Sequence, residues 1–196
     1  MLTNAIRGYT DIALRADDEL SQHDNRICRN QYTDDVSGAK TSTPLAAETF
    51  ASVVANTPLV SIDLIVEDAQ GAVLLGLRNN PPARGWWFVP GGRIRKDETL
   101  DDAFARIIQV ELGLCGQRSQ SRLAGVYEHF YDTNFTGTTG ATTHYVALAY
   151  RLQVERHLLQ LLHLPHQQHS RYMWMHPDRI VQHPHVHSYT QAYFSS

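Results

Sequence analysis

The densest group of residues able to do chemistry runs from Gly91 to Leu114, where a glycine pair, several arginines and a glutamate on an apolar helical face follow one another. At about 100° per residue, Leu100, Phe104, Ile107 and Glu111 share one side of a helix, so a carboxylate stands on the stripe expected to pack inward. A bare buried carboxylate is costly unless it meets a cation or strong donors. Two kinds of partner suit it: an arginine such as Arg106, or a hard metal such as Mg²⁺, which takes carboxylate, carbonyl and water oxygens. Just upstream, Pro90-Gly91-Gly92 has no Cβ on its glycines to hold a ligand away from the backbone, and it can offer a carbonyl oxygen. Asp63, inside the apolar run Val60 to Val66, is a second costly carboxylate.

These residues need elements to position them. Thr99 can cap a helix over about Leu100 to Leu112, with Asp101 and Asp102 favoured in its first turn by the dipole and Gly113 as its stop. Leu59 to Glu67 and Ala72 to Arg78 read as strands joined by the turn Asp68-Ala69-Gln70-Gly71. A Pro-rich loop from Asn79 to Gly85 leads into a strand at Trp86 to Val89, which ends in the loop Pro90-Gly91-Gly92. Ahead of them, AAETFASVVAN suggests a short helix with Phe50, Val53 and Val54 on one side. Strand-like runs follow at Leu123 to Tyr131 and Thr143 to Val154, separated by a Gly/Thr-rich loop. A short strand surrounds Met173-Trp174, and a last helix follows Pro184. Strands mixed with a few helices at these intervals predict an α/β sandwich with a mixed sheet, beginning near Leu45. Residues 1–44 are expected to form a flexible extension, because Arg15 to Pro44 is polar and offers few apolar positions to bury.

A chain of 196 residues with 42% hydrophobic content suffices for one domain with a core. Its formal charge of -3 gives no basic field of the kind that nucleic acids or anionic membranes select, so neither is an expected partner. An anionic substrate must instead be met locally. Cys28 and Cys115 lie far apart without CxxC spacing and could form at most one bridge, which points away from a disulfide scaffold or thiolate zinc site and toward a reducing cytoplasm. The first residues lack a basic start followed by an apolar run, and no stretch approaches the roughly 18 apolar residues of a membrane span. His166 with His169, and His183, His185 and His187, lack further ligands at structural zinc intervals.

Gly92, Glu98 six positions on, Arg106 eight beyond that, and Glu111-Leu112-Gly113-Leu114 resemble the Nudix box over a 23-residue window that also reads as loop followed by helix. The box usually carries further glutamates where this chain has Ile107 and Val110, which disfavours a cluster of several metals. That pattern, with PLVSIDLIVED, WWFVPGGRIRKDETLDDAF, EHFYDTNF, THYVALAYR and AYF, is similar to the GDP-mannose mannosyl hydrolases from about Leu45 to Phe194.

The resemblance implies a Nudix fold, an α/β/α sandwich with a mixed central sheet. It also implies hydrolysis of GDP-mannose, or GDP-glucose, to GDP and free sugar by water attack at the anomeric carbon with inversion. It assigns one Mg²⁺ per subunit to the Gly91 carbonyl, Glu111 and Gln168, the role of general base to His169, and contacts with the diphosphate to Arg78, Arg93 and Arg106. Asp63 and Tyr145 take substrate-contact positions, and a homodimer is expected. Without the resemblance, Arg78 reads as surface charge, Gln168 as a solvated loop residue and Tyr145 as a strand aromatic. Imidazole suits the base because its ordinary pKa near 6.5 leaves a neutral acceptor at physiological pH. Two other functions remain open: a Nudix enzyme attacking phosphorus of a nucleotide sugar, and a nucleotide-sugar-binding protein without turnover.

Overall fold

The computed structural model describes residues 45–135, 140–155, 158 and 161–195. The expected N-terminal extension and the centre of the Gly/Thr-rich loop lie outside these residues. Helix α1 (Ala47–Asn56) precedes β1 (Leu59–Glu67), β2 (Val73–Arg78), β3 (Trp87–Phe88) and β4 (Gly91–Arg93). Helix α2 (Leu100–Leu112) and a 3-10 turn (Arg118–Gln120) lead to β5 (Arg122–Tyr131), β6 (Thr143–Gln153) and β7 (His169–Met175). The short helices α3 (Pro177–Ile180) and α4 (Ser188–Ala192) follow.

The sheet is mixed. Its main path runs β3-β2-β1-β6-β5, with β4 on β1 and β7 on β2. β1 and β6 pair in parallel along their length, from Leu59↔Tyr145 to Glu67↔Gln153, whereas β5 runs antiparallel to β6. β1 touches β2 only at the hairpin end, through Glu67↔Val73, because the other end of that edge is taken by β4 through Ser61↔Arg93 and Asp63↔Gly91. The strands therefore diverge from their turn, and Arg78 ends β2 at the open end. Gly91 and Gly92, expected as loop, are strand residues: their pairing is with a distant segment that local composition does not reveal.

Alternation along β1 divides the core. Ile62, Leu64 and Val66 pack under α2 against Phe104, Ile107 and Leu112, while Ile65 joins Val73, Leu75, Met173 and Met175 on the opposite face. Helix α2 has the expected bounds. Thr99 Oγ1 accepts from Asp102 N at 3.1 Å, and Gly113 closes the helix at φ 69°. Leu100 departs from the expected inward stripe and is exposed, the buried face of the helix beginning at Ala103 and Phe104. In α1 only Val54 is buried. The strand around Met173-Trp174 is longer than expected and begins at His169 itself. On the outer strand β5, Tyr189 Oη accepts from Phe130 N at 2.7 Å and donates to Phe130 O at 2.6 Å.

Candidate active site

Glu111 lies on the inner side of α2 and is 2% exposed. Its Oε1 accepts from Gln168 Nε2 at 2.9 Å, while Oε2 has no hydrogen-bond partner among the described residues. Burial pushes its pKa up to about 7, opposed by the charge of Arg78. A recess of about 210 Å³ opens beside it, lined by Gly92, Arg93, Arg106, Val110, Glu111 and Gln168.

The arginine option for Glu111 is overturned in the case of Arg106. That guanidinium grips Glu98 with Nε at 2.5 Å and Nη2 at 2.8 Å, and Nη2 also reaches the Arg93 carbonyl at 3.0 Å. Glu98 in turn accepts from Arg95 N at 2.7 Å, so the pair ties the segment after β4 to the helix. This hydrogen bonding to Arg106 holds the Glu98 carboxyl below the usual carboxylate range.

His169 is 1% exposed, and its ring lies on Gly76, where an added Cβ would stand 2.5 Å from the ring Cδ2. Only glycine leaves room for the imidazole there. Its Nδ1 is 3.2 Å from Tyr172 Oη, which itself donates to the Pro165 carbonyl at 2.8 Å. The tyrosine's single proton is thus committed to Pro165, and its oxygen must accept from Nδ1–H. Nε2 then carries the lone pair, and among the described residues it has no partner. Burial, reinforced by Arg78, lowers the imidazole pKa to about 4, so the ring is neutral at physiological pH. A neutral ring with its lone pair fixed on Nε2 has the chemistry of a base, and Nε2 is itself buried in this structure.

Asp63 is 7% exposed and projects to the other face of the sheet. Its Oδ2 accepts from Tyr193 Oη at 2.6 Å, and the Ser61 hydroxyl is 3.5 Å from Oδ1. Tyr193 Oη also lies 3.2 Å from His129 Nε2, so with its proton on Asp63 it accepts from that imidazole. Burial raises Asp63 to about 6 against the lowering effect of these bonds and of Arg78, and burial lowers His129 to about 4. Asp63 also stands hard against Gly91, where a Cβ would meet its Oδ1 at 2.9 Å and the Ile62 carbonyl at 2.7 Å.

The charge of Arg78 therefore reaches Asp63, Glu111 and His169, and also opposes the burial-driven rise of Tyr145. Arg78 Nε has no hydrogen-bond partner among the described residues. Arg93 covers the Phe50 ring at 4.1 Å; burial lowers its pKa, and Tyr145 counters that shift. Glu111, Gln168, Arg93 and Arg106 thus line one recess, with His169 Nδ1 3.9 Å from Glu111 Oε2. Asp63 belongs to the opposite face, and Gly91 is held against it, while Gly92 lines the recess. The sequence reading missed Tyr172, Tyr193 and His129. Tyr172, three residues beyond His169, offered only its spacing as a signal; Tyr193 lies 130 positions from Asp63 and offered only its place in the AYF segment.

A hard divalent cation suits the Glu111 corner. A buried carboxylate oxygen without a partner, an adjacent neutral amide and a glycine backbone supply oxygen donors, and a cation would offset the burial that raises the Glu111 pKa.

A family model described as NUDIX domain matches residues 57–194, and the chain belongs to the Nudix family of hydrolases, whose members generally use divalent metal ions such as Mg²⁺. It is 40% identical over 153 residues to the low-salt glycan biosynthesis protein Agl8 of Haloferax volcanii, covering 78% of this chain and 93% of that protein. The structure of a MutT protein from Methanosarcina mazei Go1 matches with TM-score 0.55 at 21% identity, over 71% of this chain and 92% of that one. The Nudix domain of Shewanella oneidensis NrtR, solved with ADP-ribose, matches with TM-score 0.51 at 20% identity, over 73% and 94% of the two chains. The expected Nudix fold, an α/β sandwich with a mixed sheet, is the fold observed.

Proposed function

We propose that the chain hydrolyses GDP-mannose, with GDP-glucose as a second substrate, to GDP and free sugar by water attack at the anomeric carbon with inversion. The observation that carries this reading is a metal corner with one unpaired carboxylate beside a buried imidazole whose Nε2 is bare. Buried Ile107 and exposed Val110 stand where the box usually has glutamates, and Glu98 is spent on Arg106. Glu111 is thus the box carboxylate left for a cation, which favours one Mg²⁺ per subunit over a cluster that would activate water at phosphorus.

In this reading Glu111, Gln168 and the Gly91 carbonyl would hold one Mg²⁺, which would neutralise charge on the leaving diphosphate. His169 Nε2 accepts the proton that water loses as its oxygen bonds to the anomeric carbon. The bond from that carbon to the β-phosphate oxygen breaks, and its electron pair leaves with GDP. Arg78 and Arg93 bind the diphosphate; Arg106 adds charge to the recess while bound to Glu98. Tyr145 contacts the substrate, while Asp63, whose oxygens are already met by Tyr193 and Ser61, supports the site from the other face of the sheet. The catalytic unit is residues 45–196, acting as a homodimer in the cytoplasm. The name of the Haloferax relative, a glycan biosynthesis protein, accords with a role in controlling the level of activated sugars used for glycans.

Turnover of GDP-mannose with Mg²⁺ in ¹⁸O-labelled water tests the reaction. The label is expected in mannose and not in GDP. Label in a nucleotide or sugar phosphate would establish attack at phosphorus, and tight GDP-mannose binding without release of mannose would make the chain a binding protein.

A further inference from the structure

The segment from Pro165 to His169 carries both the proposed metal amide and the proposed base, and side chains beyond the end of β2 hold it. Asn79 N donates to the Gln168 carbonyl at 2.8 Å, Asn79 Nδ2 donates to the His166 carbonyl at 3.0 Å, and Asn80 Nδ2 donates to the Gln167 carbonyl at 3.3 Å. Three successive carbonyls of one loop are thus met by two successive asparagines of another. Those asparagines follow directly on Arg78, in a loop that is itself closed by Arg78 N to Trp86 O at 3.0 Å and Gly85 N to Arg78 O at 2.9 Å. The donor side is firmly rooted, and on the acceptor side the carbonyls belong to Gln168 and the two residues before it.

We infer that Asn79 and Asn80 are positioning residues: their amides latch residues 166–168 so that Gln168 stands beside Glu111 and His169 lies flat on Gly76. Neither asparagine lines the recess beside Glu111; each acts through the backbone it holds. The loop is otherwise pinned by Tyr172 bonding to Pro165 O, by the Gln168–Glu111 contact, and at its end by the pairing of His169 with Arg78 between β7 and β2. The first of these fixes its start, and the second needs the loop to be already in place. Asn79 and Asn80 bridge that interval. Exposed neutral hydrogen bonds are individually modest, which suits a latch that can yield as ligand enters and leaves.

The inference rests on the proposed reaction for what the loop does, but the latch can be read without turnover. Asn79→Asp and Asn80→Asp are near-isosteric and turn each side-chain donor into an acceptor facing a carbonyl oxygen. With the full chain and Mg²⁺, Asn79→Asp is expected to lower kcat for GDP-mannose by about ten-fold and to leave the KM for the nucleotide sugar within about two-fold. It should also weaken Mn²⁺ binding, followed by electron paramagnetic resonance, by about five-fold, and speed amide exchange across 165–169. Asn80→Asp, at the longer bond, should do the same to a smaller degree. Asn79→Ser, which restores a short donor, should recover part of the Mn²⁺ affinity. A merely structural role would lower the melting temperature without moving Mn²⁺ affinity at temperatures where the variant is fully folded.

Unchanged Mn²⁺ affinity and unchanged exchange in both folded aspartate variants overturn the latch, whatever the substrate proves to be. If Asn79→Asp does not fold, Asn80→Asp decides on the same readouts. Should the parent fail to release mannose while both variants still lose Mn²⁺ affinity and gain exchange, the reaction falls and the latch stands.

Discussion

Two buried carboxylates occupy opposite faces of the sheet, and their hydrogen bonding differs. Asp63 has Tyr193 on one oxygen and Ser61 near the other, whereas Glu111 has Gln168 on one oxygen and, among the described residues, no hydrogen bond on its second. Both are raised by burial, to about 6 and about 7. The fold has therefore completed the surroundings of Asp63 with its own groups and left those of Glu111 open. An open oxygen in a protein interior is unfavourable in the empty state, and it persists where a ligand completes it. By this criterion the Glu111 corner is built to receive a cation and the Asp63 corner to hold a shape.

Replacement of each group in turn should sharpen that contrast. The largest effect is expected from Glu111→Gln: loss of kcat by roughly 100- to 1000-fold, together with loss of Mg²⁺-induced thermal stabilisation. In the presence of a chelator, its melting temperature should match or exceed that of the parent, because a buried, half-unpaired acid has become a neutral amide. A clear fall in chelator would mean that Glu111 is structural after all. Next comes Tyr193→Phe, which strips the shared hydroxyl from both Asp63 and His129. Urea unfolding should register a loss of about 1–3 kcal/mol, the usual cost of leaving buried polar groups unsatisfied. No loss would place Asp63 in the open class with Glu111.

The smallest effect is a change of slope with pH. His129 titrates near 4 in the fold, below its ordinary 6.5, because burial penalises the charged ring. Its contribution to stability is thus complete above about pH 6.5 and is lost as pH falls toward 4, where the unfolded chain takes up a proton that the native state resists. His129→Asn should flatten the decline of unfolding free energy between those two values relative to the parent; an identical decline in both proteins would remove His129 from the account.

How much of this was legible in the sequence depends on how far apart the cooperating residues lie. Helix α2 could be read to its ends because its cap, first-turn acids and terminal glycine are local, and Glu111 could be placed on its inner side by periodicity alone. The strand at Gly91–Arg93 could not, since its partner, β1, is some thirty positions upstream and glycines have poor strand propensity. Arg106 was legible as a conspicuous charge but not as the partner of Glu98, because that pair spans a loop and a helix turn instead of one helical face. The tautomer of His169 depends on Tyr172 and on a carbonyl of Pro165, which proximity in sequence suggests only after the strand is known to begin at His169. The resemblance to a known family supplied Gln168 and His169, which residue chemistry alone would have left among solvated loop groups.

The hydroxyl of Tyr189 has a consequence for the molecule's behaviour in a crowded solution. β5 ends the main path of the sheet, and a terminal strand normally offers a ladder on which another chain can grow. By occupying both the amide and the carbonyl of Phe130, one side chain fills the rung that an intruding strand would need, beside a phenylalanine that is itself 60% exposed. The protein thus wears a stopper at its stickiest point, and association between copies is steered away from strand addition at Phe130 and toward side-chain packing.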